Sequence, residues 1–201
     1  MKVRNYHHVY AAGSWYVPLS EHLAAMREGG FGAELRVGIV GPNPDPVIDY
    51  LHGTGVKFAV CARAQEGWEQ VTLEVLRAEL DQFDGATLYT HTKGAAAPSA
   101  FNDAWRRSMS VLMRNWRACV AEMEGGMDAV GCHWLTPGAQ FRVDTPYFGG
   151  NFWWATNEYL RTLPPLRHDN RHEAEAWIGR GPREPKVFDW TPGWPGWEAF
   201  G

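Results

Sequence analysis

The run Tyr89-Thr90-His91-Thr92-Lys93-Gly94 brings hydroxyls, an imidazole and an ammonium to the end of a β-prone stretch and then stops at a glycine. A Lys ammonium is a compact point charge suited to phosphate oxygens, and His or Thr beside it can donate hydrogen bonds. Gly94 permits a sharp turn or the close approach of a ligand. An ordinary polar turn explains the same residues equally well. The run is not a Walker loop, because the chain contains no GxxxxGK(S/T) pattern.

A second constellation is Phe148-Gly149-Gly150-Asn151-Phe152-Trp153-Trp154-Ala155. Paired glycines let a backbone pass close to a ligand, and Asn151 offers both a donor and an acceptor to a hydroxyl-rich partner. Tandem Trp residues on a strand cannot both face the same side, so one division puts one indole in the core and the other against a ligand. A tightly packed aromatic turn is the alternative. A third constellation is Arg171-His172-Glu173-Ala174-Glu175-Ala176-Trp177, in which Arg171 and Glu175 are i,i+4 neighbours if the segment is helical. Spacing alone favours a surface ion pair there; the functional reading makes one carboxylate a general base toward a hydroxyl.

Metal signatures are weak. His168 and His172 are spaced H-x3-H without a matching Cys or His pair at finger distance, and His7 and His8 face opposite sides of a strand. Acidic and amide side chains form no EF-hand pattern. Gly-x-Ser-x-Gly, His-Glu-x-x-His and GxGxxG motifs are all lacking, which removes the commonest hydrolase, metalloprotease and dinucleotide signatures.

The elements that must position these residues alternate between strand and helix, which argues an α/β layer architecture. Strand-like runs cover His8 to Ala12, Ala33 to Val40, Val56 to Ala62, Ala86 to Thr90, Ala129 to Leu135 and Ala139 to Val143. Helical spacing runs from Ser20, a capping residue, to Gly29, from Trp68 to Phe83, and from Phe101 to about Met123. Shorter helices are expected from Asn157 to Leu163 and Arg171 to Ile178. In open α/β sheets ligands bind at the carboxyl ends of strands, which singles out Gly13-Ser14-Trp15, the 91–94 turn and the Tyr147 to Trp154 loop. The expected organisation is one domain over residues 1–180, with a Pro-, Gly- and Trp-rich tail over 181–201 packing on it.

A chain of 201 residues that is 45% hydrophobic and 21% charged is globular in composition. It contains no apolar run of the roughly 20 residues that a membrane span requires. The N-terminal stretch lacks the apolar core of a signal peptide, and Cys61, Cys119 and Cys132 are too scattered for a disulfide framework, so a cytoplasmic location is expected. A net charge of −4 gives no electrostatic reason to expect a nucleic-acid partner. The 11 Trp residues are the compositional anomaly: most belong in cores, but an indole beside a polar, Gly-rich turn can stack on a sugar or base.

Taken in order, these blocks resemble a family of small bacterial and viral glycosyltransferases with a GT-A-like, nucleotide-sugar-binding fold. The resemblance runs through Gly13-Ser14-Trp15, Trp68-Glu69, Leu88 to Gly94, Trp105-Arg106 and Asp128 to Gly131. It continues through Phe148 to Ala155, Tyr159-Leu160, Leu163-Pro164 and Arg171 to Ile178. The stretch from Gly150 to Ala155 is the most distinctive. The resemblance implies a single α/β domain with a central mixed sheet flanked by helices, which transfers a sugar from a nucleoside-diphosphate donor, a UDP-sugar first, to an acceptor hydroxyl. It implies donor contacts from Gly13, Ser14, Trp15, His91, Thr92, Lys93 and Gly94. Sugar or acceptor contacts would come from Gly149, Gly150, Asn151, Trp153 and Trp154. The catalytic group would be Glu175 first, Glu173 second and Asp128 third, with Arg171 orienting the carboxylate or touching phosphate. Such enzymes commonly hold Mn²⁺ or Mg²⁺ on an Asp-x-Asp motif, which this chain lacks. Lys93 would then neutralise the leaving diphosphate, with His91 a hydrogen-bond donor or a metal ligand. The acceptor can be a glycan, a protein or a lipid-linked sugar, with nucleic acid least expected. A non-catalytic carbohydrate-binding module and a nucleotide-sugar hydrolase using His91 and Glu175 are the rival readings.

Overall fold

In the computed structural model, which describes residues 1–136 and 143–191, strand β1 (Val3–Tyr10) lies inside a seven-stranded mixed sheet. Its neighbours are β2 (Leu35–Val40) and β4 (Ala86–His91), both parallel to it, and β3 (Phe58–Ala64) extends the parallel set beyond β2. Past β4 the sheet changes direction. Strand β8 (Trp153–Thr156) runs antiparallel to β4 and to β5 (Ala129–Gly131), and β9 (Val187–Asp189) closes the edge parallel to β5. The order is β3-β2-β1-β4-β8-β5-β9. A separate two-stranded ribbon pairs β6 (Trp134–Leu135) with β7 (Tyr147–Phe148).

The period-2 alternation of strand side chains divides the core into two layers. One face of the sheet carries Val9, Leu35, Val37, Ile39, Leu88 and Trp154 against α1 (Tyr16–Glu28), α2 (Asp45–Thr54) and α4 to α6 (Ala100–Met109, Val111–Arg114, Trp116–Glu124). The other carries Tyr6, Tyr89, Trp153 and Ala155 against α3 (Gln70–Ala78), α7 (Asn157–Thr162) and α8 (Glu173–Ala176). Trp153 and Trp154 are therefore both fully buried, one in each layer. The α/β class, the single domain and the helix-flanked mixed sheet follow the sequence reading.

The differences are local and physical. Helix α1 starts four residues before Ser20, whose hydroxyl bonds back to the Val17 carbonyl at 2.9 Å instead of capping. Helix α2 is absent from the sequence reading: Pro44 and Pro46 look like loop, yet proline is tolerated at a helix start, where its missing N–H is no loss. The long helix expected from Phe101 is broken at Ser110 and Asn115 into three. The expected tail instead supplies an edge strand through Val187–Asp189. The strand expected at Ala139 to Val143 lies almost wholly outside the described residues, as do Trp194 and Trp197; Val143 itself is not in a strand. Among the described residues no helix is long and apolar enough to cross a membrane.

Candidate functional site

Parallel strands β1, β2 and β4 end on the same side, and there the chain leaves β4 through His91, Thr92, Lys93 and Gly94. The turn is held from several directions. Thr92 donates its N–H to the His8 carbonyl at 2.9 Å, and its hydroxyl accepts the Tyr10 N–H at 3.0 Å. Arg106 of α4 donates to the Lys93 carbonyl at 2.9 Å while paired with Glu21 and Asp103. The Lys93 ammonium lies 3.7 Å from the centroid of the Trp105 ring, a cation–π contact.

Beside this turn opens a cleft of about 600 Å³, within the range of small-molecule and cofactor sites. Its lining includes Tyr10, Val40, Pro42 and Trp68 as well as Glu66, Glu69, His91, Lys93, Arg171 and Glu175. Tyr10 and Trp68 are 37% and 48% exposed, unusual for large aromatics, so the cleft offers open rings. Lys93 lies close enough to Glu175, Glu69 and Arg171 to feel their charges, so both signs of charge gather around it.

Glu69, which immediately precedes α3, was quoted in the resemblance but not picked out as a site residue. It is the most elaborately held carboxyl in the cleft. Its Oε2 accepts the Tyr89 hydroxyl at 3.0 Å and the Asn151 amide at 2.7 Å, and Oε1 faces His91 Nδ1 at 3.6 Å. Burial pushes the Glu69 carboxyl above its ordinary range, with the nearby Glu175 charge adding to the shift against the opposing hydrogen bonds. Burial acts on Glu175 in the same sense, but the His172 hydrogen bond and the charges of Lys93 and its neighbours outweigh it and hold that carboxyl below its ordinary range. Burial lowers Lys93, opposed by Glu175 and Glu69, and drives His91 down to about 3. The signal for Glu69 in the sequence was slight: a Glu beside a Trp at the start of a helical pattern.

The sequence-derived candidates sort into three groups. His91, Thr92, Lys93, Gly94, Arg171 and Glu175 all line the cleft. Arg171 and Glu175 do not form the expected helical pair: α8 begins only at Glu173, and the Glu175 ion-pair partner among the described residues is His172 at 3.8 Å. Gly13, Ser14 and Trp15 sit behind the turn. The Ser14 N–H donates to the Ala95 carbonyl at 3.0 Å, and a Cβ on Gly13 would come within 2.4 Å of that oxygen, so Gly13 allows the β1 exit to brace the turn. Trp15 packs with Tyr16 and Tyr50, centroids 6.0 Å away in each case.

The 149–154 loop supports the site from within. The Trp153 indole donates to Asn151 Oδ1 at 2.8 Å and stacks on Tyr89, while the Trp154 indole donates to the Leu112 carbonyl at 3.0 Å. Neither ring reaches the cleft, because each is consumed by its own core layer. Asn151, fully buried with φ +55°, addresses Glu69 and Trp153 and not a ligand hydroxyl. Gly149 and Gly150 are buried too, and a Cβ on Gly150 would lie 2.7 Å from Met109 Sδ. Glu173 is turned away from the cleft into a pair with Arg180 at 2.7 Å. Asp128 binds Arg183 at the far end of β5.

Gly150 also has φ +87°, a region side chains avoid, and its carbonyl takes the His91 Nε2 hydrogen bond at 2.8 Å. Gly150→Ala is expected to destabilise the fold by about 1–3 kcal/mol through backbone strain and the Met109 contact. Urea unfolding monitored by Trp fluorescence measures this, and an unchanged midpoint would contradict the packing role.

Among the described residues no group of three or more His, Cys, Asp or Glu converges as a metal ion would need. His91 commits Nε2 to the Gly150 carbonyl, and the carboxylates of the cleft face Lys93 and Arg171. These residues do not fit a divalent metal held in the Asp-x-Asp manner.

No protein-family model matches the sequence, and no curated protein matches it. Among solved structures, the fold is similar to S. aureus TarS 1-349 at 12% identity and a TM-score of 0.47, over 92% of this chain and 58% of that one. The same fragment is also known in complex with UDP-GlcNAc. A second similarity is to the 4-diphosphocytidyl-2C-methyl-D-erythritol synthase of Anaerococcus prevotii, at 10% identity and a TM-score of 0.49, over 94% of this chain and 88% of that one. The chain thus spans just over half of the TarS fragment and most of the synthase.

Proposed function

We propose that the cleft binds a nucleoside-diphosphate sugar and that the protein transfers the sugar to an acceptor hydroxyl. The observation that carries this reading is a cleft whose lining combines open aromatic rings, Tyr10 and Trp68, with a cluster in which Lys93 and Arg171 meet Glu69 and Glu175. A nucleoside-diphosphate sugar carries the same two kinds of surface. Its base is flat and apolar-faced, which suits Tyr10, Trp68 and Pro42. Its diphosphate is anionic, which suits a Lys ammonium and an Arg guanidinium. The turn from His91 to Gly94, quoted for the family resemblance, carries Lys93 and lines this cleft.

Each group then has one task. Lys93 stabilises the charge that grows on the departing diphosphate, the part a divalent metal plays elsewhere, and Arg171 lies beside it at the rim. Glu175, ionised at neutral pH, accepts the proton of the acceptor hydroxyl as the hydroxyl attacks the anomeric carbon. The bond to the diphosphate breaks as the glycosidic bond forms. Transfer therefore proceeds in the presence of a chelator. Incubation with labelled UDP-sugars and candidate acceptors tests the reading: glycosylated acceptor supports it, whereas free sugar alone indicates hydrolysis and unaltered donor indicates a binding module.

Glu175→Gln keeps the size of the side chain but removes the proton acceptor, and is expected to lower transfer turnover by about 10²- to 10⁴-fold. Donor affinity, measured by titration with UDP, should change far less. Full transfer by Glu175→Gln would move the base elsewhere.

A further inference from the structure

The hydrogen bonds around Glu69 fix where its protons are. The Trp153 indole N–H can only donate, so the Asn151 atom that meets it is the oxygen, and the Asn151 NH₂ therefore points at Glu69. The Gly150 carbonyl can only accept, so His91 Nε2 carries a hydrogen. A neutral His91 then turns the bare lone pair of Nδ1 toward Glu69 Oε1, 3.6 Å away. Two lone pairs opposed in a buried setting repel each other. One proton between them converts the repulsion into a hydrogen bond, and the contact closes by a few tenths of an ångström.

The surroundings decide which partner keeps that proton. Glu69 is faced by Tyr89 from β4, His8 from β1, Asn151 from the β8 approach, His91 and Lys93 from the turn, and Glu175 from α8. His8 is neutral, its imidazole bonded to Thr72 and driven to about 4 by burial, so it withholds the charge that would favour a carboxylate. Glu175 is a second negative charge close by, and burial penalises an imidazolium–carboxylate pair. Tyr89 and Asn151 both donate to Oε2, which leaves Oε1 as the protonated oxygen.

We propose that Glu69 stands in the ligand-free cleft as a neutral carboxylic acid whose one proton, on Oε1, is held against His91 Nδ1, and that this O–H turns from His91 to a substrate oxygen when one enters. Two carboxyl groups in one cleft thus take opposite roles, Glu175 ionised and Glu69 protonated, a division that environment can impose on chemically identical groups. The donor reaches a diphosphate or sugar oxygen, anionic or hydroxylic, that enters beside Lys93. The protonation state is argued from the hydrogen-bond geometry and burial of the ligand-free site; its use in turnover rests on the transfer reading.

The test has two independent arms. In the first, the ¹³Cδ resonance of Glu69, assigned by difference against Glu69→Gln, is followed by NMR from pH 4 to 8 in the ligand-free protein, together with the His91 ring nitrogens. A carboxylic-acid shift that persists to pH 7, with the Nε2–H tautomer at His91, is expected. Ionisation of Glu69 between pH 4 and 5 overturns the proposal whatever the protein catalyses. In the second, Glu69→Ala is expected to lose about 100-fold in turnover, and Glu69→Gln, whose amide can still donate to His91, to recover at least tenfold of that and to flatten the alkaline limb of the pH profile. A Gln variant as impaired as the Ala variant overturns the donor role. An inactive wild-type protein would count against the transfer reading and leave the first arm to judge the proton. Equal thermal midpoints of the two variants guard against a folding artefact.

Discussion

On the transfer reading, Lys93→Ala is expected to lower turnover by about 100- to 1,000-fold. A preorganised charge aimed at developing negative charge in a water-poor cleft is worth several kcal/mol, and removing one such group elsewhere costs this much. Lys93 is preorganised in an identifiable way. Its main chain is fixed by the turn after β4 and by the Arg106 bond to its carbonyl, and its ammonium lies on the Trp105 face. The charge therefore does not have to be gathered from solvent when the diphosphate departs. Truncation removes the charge without breaking a buried pair among the described residues, so the fold should lose little by comparison. Turnover and UDP affinity measured side by side separate the effects: loss chiefly in turnover means that Lys93 acts on the leaving group, whereas equal loss in both means uniform binding. Lys93→Arg should restore part of the rate, since the charge returns in a different shape. Turnover close to that of the unaltered protein would end the account of the turn as a diphosphate site.

The second large effect is on stability in mild acid. Five histidines are held neutral: His7, His8, His22 and His133 are buried, and His91 is half-buried. Desolvation is the first cause in each case, lowering His8 and His133 to about 4, His22 and His91 to about 3, and His7 well below its ordinary value. Each titrates near 6.5 when unfolded. Between the two values the unfolded chain holds more protons than the folded one, so stability rises with pH across that window. The contribution is complete above about pH 7 and is lost as the pH falls from 6.5 toward 4. At about 1.4 kcal/mol per pH unit for each imidazole, five of them remove on the order of 6 kcal/mol between pH 7 and pH 5.5. Typical domains are stable by only about 5–15 kcal/mol, so unfolding should become easy near pH 5.5. Glu69, raised in the folded state, works in the opposite sense, because the folded protein keeps a proton that the unfolded chain releases. Urea unfolding at the two pH values measures the difference, and a loss below about 2 kcal/mol would mean that the imidazoles are solvated. His22 provides the sharpest check. Among the described residues neither ring nitrogen has a hydrogen-bond partner, and the ring lies tilted against His7 with centroids 4.1 Å apart, so His22→Leu should improve stability at pH 5.5 more than at pH 7.

How much of the site was legible depends on whether a residue acts through its own type or through its neighbours. The turn from His91 to Gly94 was readable because a strand that ends in His-Thr-Lys-Gly has one open edge to deliver them to. Glu175 was readable as a carboxylate on a short helical segment, although its pairing with Arg171 was not: α8 starts two residues after the arginine. The Gly-Asn-Phe-Trp-Trp run, expected to contact sugar or acceptor, lies buried beside the cleft and not in its lining. Its residues are distinctive because each is locked into the interior, with Asn151 bridging Trp153 and Glu69 and Gly150 offering its carbonyl to His91. Period-2 alternation required the two indoles to face opposite sides; it could not say that both sides were core.

The amino-acid order by itself determined the layer architecture, the cationic turn at the end of β4 and the acidic segment that comes to face it. These depend on periodicity, on glycine at a turn and on charge type, all of which are local. Only the tertiary structure decided that Glu69 belongs to the same cleft, that the 187–189 segment completes the sheet edge, and that the Trp-rich loop supports the site from behind. Those outcomes depend on contacts between residues up to 100 positions apart, such as Asn151 with Glu69 and Gln70 with Asn170, and on burial. Burial raises both glutamates of the cleft, and only the neighbours that the fold brings to Glu175, His172 and Lys93, pull that carboxyl the other way.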